Sequence, residues 1–102
     1  MNIKEYQTFI KNLYQHKDIA YQKFHKKLLN SDKIPLIGIR VPILRKIAKE
    51  IAKNDYKGYI KYCTHQTYEE NTIHGLILGY IKVEKEELLK LIDQFLPYNN
   101  NW

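Results

Sequence analysis

The chain is poor in the residues that punctuate or staple a fold. Its 102 residues include one cysteine, one tryptophan and one methionine, with 4 Gly and 3 Pro. A single thiol excludes an internal disulfide, and a lone Cys63 fits a reducing compartment, where it reads as a small core residue rather than a nucleophile. Few Gly and Pro mean few breaks, which argues against many short strands and for helices. No apolar run approaches the roughly 20 residues of a membrane span. The start, Met1-Asn2-Ile3-Lys4-Glu5, lacks a signal-peptide pattern, so a cytoplasmic protein is expected. Metal signatures are also missing. His16, His25, His65 and His74 form no His-Glu-x-x-His and no cluster with Cys63, so neither a metal site nor a cofactor is expected. Glu69 and Glu70 are no acid/base pair, because neighbours on a helix point about 100° apart.

What the chain does have is apolar residues and positive charge. Hydrophobic residues make up 44%, too many for a disordered chain, and the length suits one domain or part of one. Net charge is +6, unevenly placed. Residues 1–61 carry 14 Lys or Arg against 5 acids, and residues 62–102 carry 3 against 6. A basic half suggests a polyanion such as nucleic acid. The competing reading is a set of solvated lysine faces, since lysine, isoleucine, asparagine and tyrosine together also follow from AT-rich codon usage.

Apolar spacing predicts six helices and no strand. The first runs from about Ile3 to Tyr14, with Ile3, Tyr6, Ile10, Leu13 and Tyr14 on one face and Phe9 at its edge. Asp18 caps the second, whose face is Ile19, Tyr21, Phe24, Leu28 and Leu29 and which Asn30-Ser31-Asp32 ends. An apolar connector follows, with an extended residue before Pro35 and a Gly38 that permits positive φ or close backbone approach. Asp55 caps a short fourth helix carrying Tyr56, Tyr59, Ile60 and Cys63. Thr67 and Glu70 form a capping box at the start of the fifth, which buries Ile73, Leu76, Ile77, Tyr80 and Ile81. Within it, Gly75 and Gly79 would let a neighbouring helix come close, and His74 reads as a hydrogen-bonded structural residue. The last runs from about Glu84 to Leu96, with Leu88, Leu91, Ile92 and Phe95 inward, Leu89 and Leu96 alongside, and Pro97 ending it. Amphipathic helices of similar length joined by short turns predict antiparallel pairs stacked as an α-α superhelix.

The third helix organises the chain. Pro42 suits its first turn, and Leu44, Ile47, Ala48, Ile51 and Ala52 give it an apolar stripe. Arg45, Lys49 and Lys53, each four residues on, form a basic row away from that stripe. At the far end, Trp102 closes the chain after three asparagines, a poor place for so large an apolar side chain. The expectation is a chain cut inside a structural element.

These residues resemble a known family. Gly38-Ile39-Arg40-Val41-Pro42, followed by Leu44-Arg45-Lys46, resembles the Gly-x-Arg-x-Pro-x-x-Arg-Lys opening of a helix in bacterial DNA alkylation repair enzymes, the HEAT-like glycosylases that remove alkylated purines. The helix from Tyr68-Glu69-Glu70 to Lys82 resembles another of that family, and Leu96-Pro97-Tyr98-Asn99-Asn100-Asn101-Trp102 resembles the approach to its Trp-x-x-x-Asp motif. The resemblance implies an all-α HEAT-like superhelix gripping alkylated double-stranded DNA in a cationic groove. It implies metal-free hydrolysis of the N-glycosidic bond of N3- or N7-alkylated purines, with a carboxylate and aromatic faces stabilising the developing cation. Trp102 would be one aromatic wall of the substrate site, and the catalytic Asp would lie just beyond it, so no catalytic residue is expected here. The chain then reads as the N-terminal part of a longer enzyme, with an exposed apolar end that could self-associate. Val41 stands where the family often has Thr or Ser, and losing that cap would cost about 1 kcal/mol.

Three functional readings follow. The first is the N-terminal part of an alkylpurine DNA glycosylase, itself inactive, with Arg40, Arg45, Lys49 and Lys53 on DNA phosphates. The second is a HEAT-like module that binds nucleic acid or protein without chemistry. The third is a folding unit of another protein with merely solvated cations.

Overall fold

Four of the six helices begin at a side chain that accepts a free N–H of the first turn. The computed structural model describes residues 1–29 and 35–98. Six α-helices follow in order: α1 (Ile3–Tyr14), α2 (Ile19–Leu29), α3 (Val41–Lys53), α4 (Tyr56–Tyr62), α5 (Tyr68–Tyr80) and α6 (Lys85–Phe95). A 3-10 turn, Leu96–Tyr98, succeeds α6, and there is no strand among the described residues. The all-α expectation holds. The Asn30–Asp32 stop, the residue before Pro35, the side chains of Leu28 and Leu29, and Trp102 lie outside the described residues.

The caps follow the letters closely. Asp18 accepts from the Tyr21 N–H at 3.0 Å, and Asp55 from the Gly58 N–H at 3.0 Å. Thr67 and Glu70 form the expected capping box on α5, and Asn2 with Glu5 forms a second on α1. The start of α3 differs from expectation. Its cap position is Arg40, with no side-chain cap bond, and Val41 is already helical. The missing hydroxyl at Val41 therefore deprives no cap, because extended backbone at Arg40 (φ −67°, ψ 144°) shifts the boundary by one residue.

The core is built on α5, which packs on α3, α4 and α6. Tyr6 and Leu13 of α1, Ile37 and Ile39 of the connector, Leu44 and Ala48 of α3, Tyr59 of α4, and Ile73 and Ile77 of α5 form one buried cluster. Several expected core residues are instead exposed. Ile3, Tyr14, Ile19 and Phe24 lie open, as do Leu89 and Leu96 of the last helix and turn. Periodicity marks which face is apolar. It does not say whether a neighbour covers it, and α1, α2 and α6 lie at the margins of the cluster. Gly79 was expected at a close helix contact, but nothing approaches within 4 Å of where its Cβ would stand.

The connector is held by a device that apolar pattern alone does not reveal. Gly38 adopts φ +95°, and a Cβ there would stand 2.5 Å from Gln22 Cβ and 3.0 Å from the Asp18 carbonyl oxygen, so the position needs glycine on both counts. This conformation points consecutive N–H groups at one spot. Glu69, fully buried in the first turn of α5, accepts from the N–H groups of Ile37 (2.8 Å), Gly38 (3.0 Å) and Ile39 (3.4 Å). The Asp18 N–H donates to the Gly38 carbonyl at 2.8 Å, the Gln22 side chain to the Leu36 carbonyl at 2.5 Å, and the Tyr68 N–H to the Pro35 carbonyl at 2.9 Å. The connector is thus tied to α2 on one side and α5 on the other, and it delivers the start of α3.

Two substitutions test this clasp. Gly38→Ala combines a positive φ with a steric overlap and should destabilise by about 2–4 kcal/mol. Glu69→Gln keeps the shape but turns an amide N–H₂ toward N–H donors, and should cost about 3 kcal/mol. Urea denaturation reads both. A change below about 0.5 kcal/mol, the range of an ordinary surface substitution, would contradict the clasp.

Candidate nucleic-acid interface

Helical spacing sets one face of α3 toward the core and leaves the opposite one to solvent. Leu44 and Ala48 are buried, Ile47, Ile51 and Ala52 half-buried, and Arg45, Lys46, Lys49 and Lys53 exposed. Arg45, Lys49 and Lys53 follow one row of the helix over about 12 Å. Lys49 Nζ lies 5.5 Å from the centre of the Tyr80 ring, a cation–π contact between α3 and α5. Neither Arg45 nor Lys53 forms an ion pair with a described residue. Lys and Arg side chains that meet DNA phosphates position a protein without reading bases.

Arg40 stands apart from the row. Its Nε donates to Asp18 Oδ2 at 3.2 Å, and its guanidinium sits 5.1 Å from the centre of the Tyr21 ring. The Asp18 carboxyl is held below the usual carboxylate range, first by the Tyr21 N–H and then by Arg40. Arg40 therefore braces α2 against the start of α3, although 59% of its side chain remains exposed for a further partner. Of the four cations proposed to meet DNA, three share a row and the fourth supports the scaffold. Trp102, the proposed aromatic wall, lies outside the described residues.

A second group of polar side chains gathers where α4 leads into α5. Glu70 is buried and accepts from the Tyr6 hydroxyl (2.5 Å), the Thr64 hydroxyl (2.6 Å), the Thr67 hydroxyl (3.0 Å), and the N–H groups of Gln66 (3.1 Å) and Thr67 (2.9 Å). The Tyr59 hydroxyl donates to the Glu70 carbonyl at 2.9 Å. Burial, helped by Cys63 and Glu70, pushes the Tyr6 phenol far above its ordinary value, so it stays a donor. Glu70 closes the α4–α5 connection much as Glu69 closes the one before α3. The expectation that neither glutamate is an acid/base partner of the other agrees with these separate sets of partners.

The expectation of no histidine–cysteine cluster is corrected. Cys63, His65 and His74 each bring a ligand atom within 4.8 Å of the others. His65 Nε2 and His74 Nδ1 lie 3.0 Å apart, sharing one hydrogen bond. The fold closes a distance that the sequence leaves open, because His65 turns back at φ +53° just before α5 carries His74 past it. His65 stacks on Tyr98 with ring centres 3.6 Å apart and planes 7° apart, and His74 packs on Phe95 at 4.8 Å. Burial lowers His74 to about 4, with His65 as a second cause, and burial lowers His65 as well. Burial pushes the Cys63 thiol up, partly offset by hydrogen bonds from Tyr6 and its other neighbours. His74 is thus structural and hydrogen-bonded, as expected, but its partner went unread. The signal was the spacing Cys63-x-His65 with His74 one helix start later.

Comparison with known proteins gives one positive result. No curated protein and no solved structure matches the chain. A family model described as DNA alkylation repair enzyme matches residues 6–102, from the first helix through the cationic face of α3 to the C-terminal tail. On that match over nearly the whole chain, the protein belongs to the DNA alkylation repair enzyme family.

Proposed function

We propose that this protein is the N-terminal part of a cytoplasmic DNA glycosylase that excises N3- and N7-alkylated purines by hydrolysing the N-glycosidic bond. The observation that carries the reading is family membership over residues 6–102. The cationic row Arg45–Lys49–Lys53 supports it, because it spans about 12 Å of exposed helix and duplex DNA offers one phosphate per roughly 3.4 Å of each strand. Arg40 is a weaker phosphate contact, since Asp18 already engages it. Trp102 would supply an aromatic face for the substrate.

The reaction needs a carboxylate beside the developing sugar cation. Glu69 and Glu70 do not serve, because both are buried and spent on hydrogen bonds within the fold. The chain by itself is proposed to hold DNA without cleaving it. Base release in any longer form is the property that separates this reading from the second, a binding module without chemistry.

Duplex binding followed by fluorescence anisotropy across salt concentrations tests the surface. Each phosphate contact contributes about 0.9 to the slope of log K against log[salt], so the Arg45→Ala/Lys49→Ala pair should lower that slope by about 2. Arg45→Glu/Lys49→Glu should abolish binding, and unchanged binding would clear α3 of the role. Incubated with methylated DNA, the 102-residue chain should release no 7-methylguanine. Release would contradict the reading of this chain as one that holds DNA without cleaving it.

A further inference from the structure

We propose that Cys63, His65 and His74 form a binding site for a zinc-class metal ion, with an open fourth position, which fastens the α4–α5 connection to the C-terminal turn. The donors are one thiol sulfur and two imidazole nitrogens, all within 4.8 Å of one another. In tetrahedral zinc sites the metal lies about 2.3 Å from sulfur and about 2.0–2.1 Å from nitrogen, which sets the donors roughly 3.3–3.7 Å apart. Here the two imidazole nitrogens are 3.0 Å apart. They need to part by a few tenths of an ångström, and the thiol to close by about 1 Å, for the donors to reach that spacing. These are side-chain adjustments. His74 is fixed on α5, while Cys63 and His65 sit on the connection between α4 and α5.

The donor set selects the class of ion. A sulfur with two imidazoles and no carboxylate suits borderline and soft metals such as zinc, and does not suit magnesium or calcium. On binding, the metal replaces the hydrogen bond between the imidazoles, and Cys63 gives up its thiol proton to solvent to bind as the thiolate.

The site is also walled. Tyr98 stacks flat on His65 and Phe95 packs against His74, so fixing both imidazoles would fix the turn Leu96–Tyr98. That turn is the approach to Trp102, which the proposed function gives to substrate. With three protein donors and a water completing the tetrahedron, the metal would tie these segments together, and the inference stands whether or not the chain binds DNA.

Cobalt(II) serves as the visible probe and zinc as its competitor. Titrating the reduced protein with Co²⁺ should give the bands of a tetrahedral site with a sulfur-to-cobalt charge-transfer band, saturating at one equivalent and bleached by Zn²⁺. Cys63→Ser should remove the charge-transfer band, and His65→Gln should weaken binding at least about tenfold. Because Cys63 is the one cysteine, the unaltered chain supplies a second readout free of folding effects. Zn²⁺ should slow alkylation of its thiol at least about tenfold, and EDTA should restore the rate. An octahedral spectrum, a charge-transfer band that survives Cys63→Ser, or a thiol that Zn²⁺ does not protect would overturn the proposal.

Discussion

The fold depends on a buried carboxylate reaching back across the chain. Glu69 lies in the first turn of α5 and accepts from three consecutive N–H groups, those of Ile37, Gly38 and Ile39. Hydrogen bonds to charged acceptors contribute about 1.5–3 kcal/mol each, and the positive end of the α5 dipole adds to the fit of an acid there. Burying so polar a group is costly unless all its partners are present. The cost is met because Gly38 alone can take the turn that aims these N–H groups together. One contact therefore sets where α3 starts and how it lies on α5, and so which way its charges face.

Glu70 repeats the device one residue later, on different partners. It gathers Tyr6 from α1, Thr64 from the α4–α5 connection, and the cap residue Thr67. Adjacent on the helix, the two glutamates point in different directions, and so they tie different segments to the same helix end. Around them the start of α5 is buried and polar, with Asn71, Thr72 and His74 also inside. This polar belt separates the protein from a simple stack of amphipathic helices, and it leaves the outer faces, including the basic row of α3, free for a partner.

Much of the architecture was legible in the letters. Asp18, Asp55 and Thr67–Glu70 announced helix starts, and apolar spacing placed six helices close to their observed limits. Gly38 was legible too, because positive φ and close approach are what glycine is for. The rest was not legible, for definable reasons. Helical spacing shows an apolar face but not its cover, so Ile19 and Phe24 were placed inside when they are exposed. Short-range reading took Glu69 and Glu70 as helix-start charges, yet their main partners lie up to 64 residues away. The Cys63–His65–His74 cluster escaped because no familiar motif has its spacing. The basic row, by contrast, was visible from four-residue periodicity alone, and the fold left it exposed.

What joins these observations is a helix with two faces, one locked inward by the Glu69 clasp and one presenting cations to solvent. Nuclear magnetic resonance of the labelled chain during titration with a short DNA duplex tests that division most directly. The amides and side chains of Arg45, Lys49 and Lys53 should shift with added DNA, while the Ile37–Ile39 amides held by Glu69 should stay in place. Shifts confined to other surfaces, or none at low salt, would contradict the account.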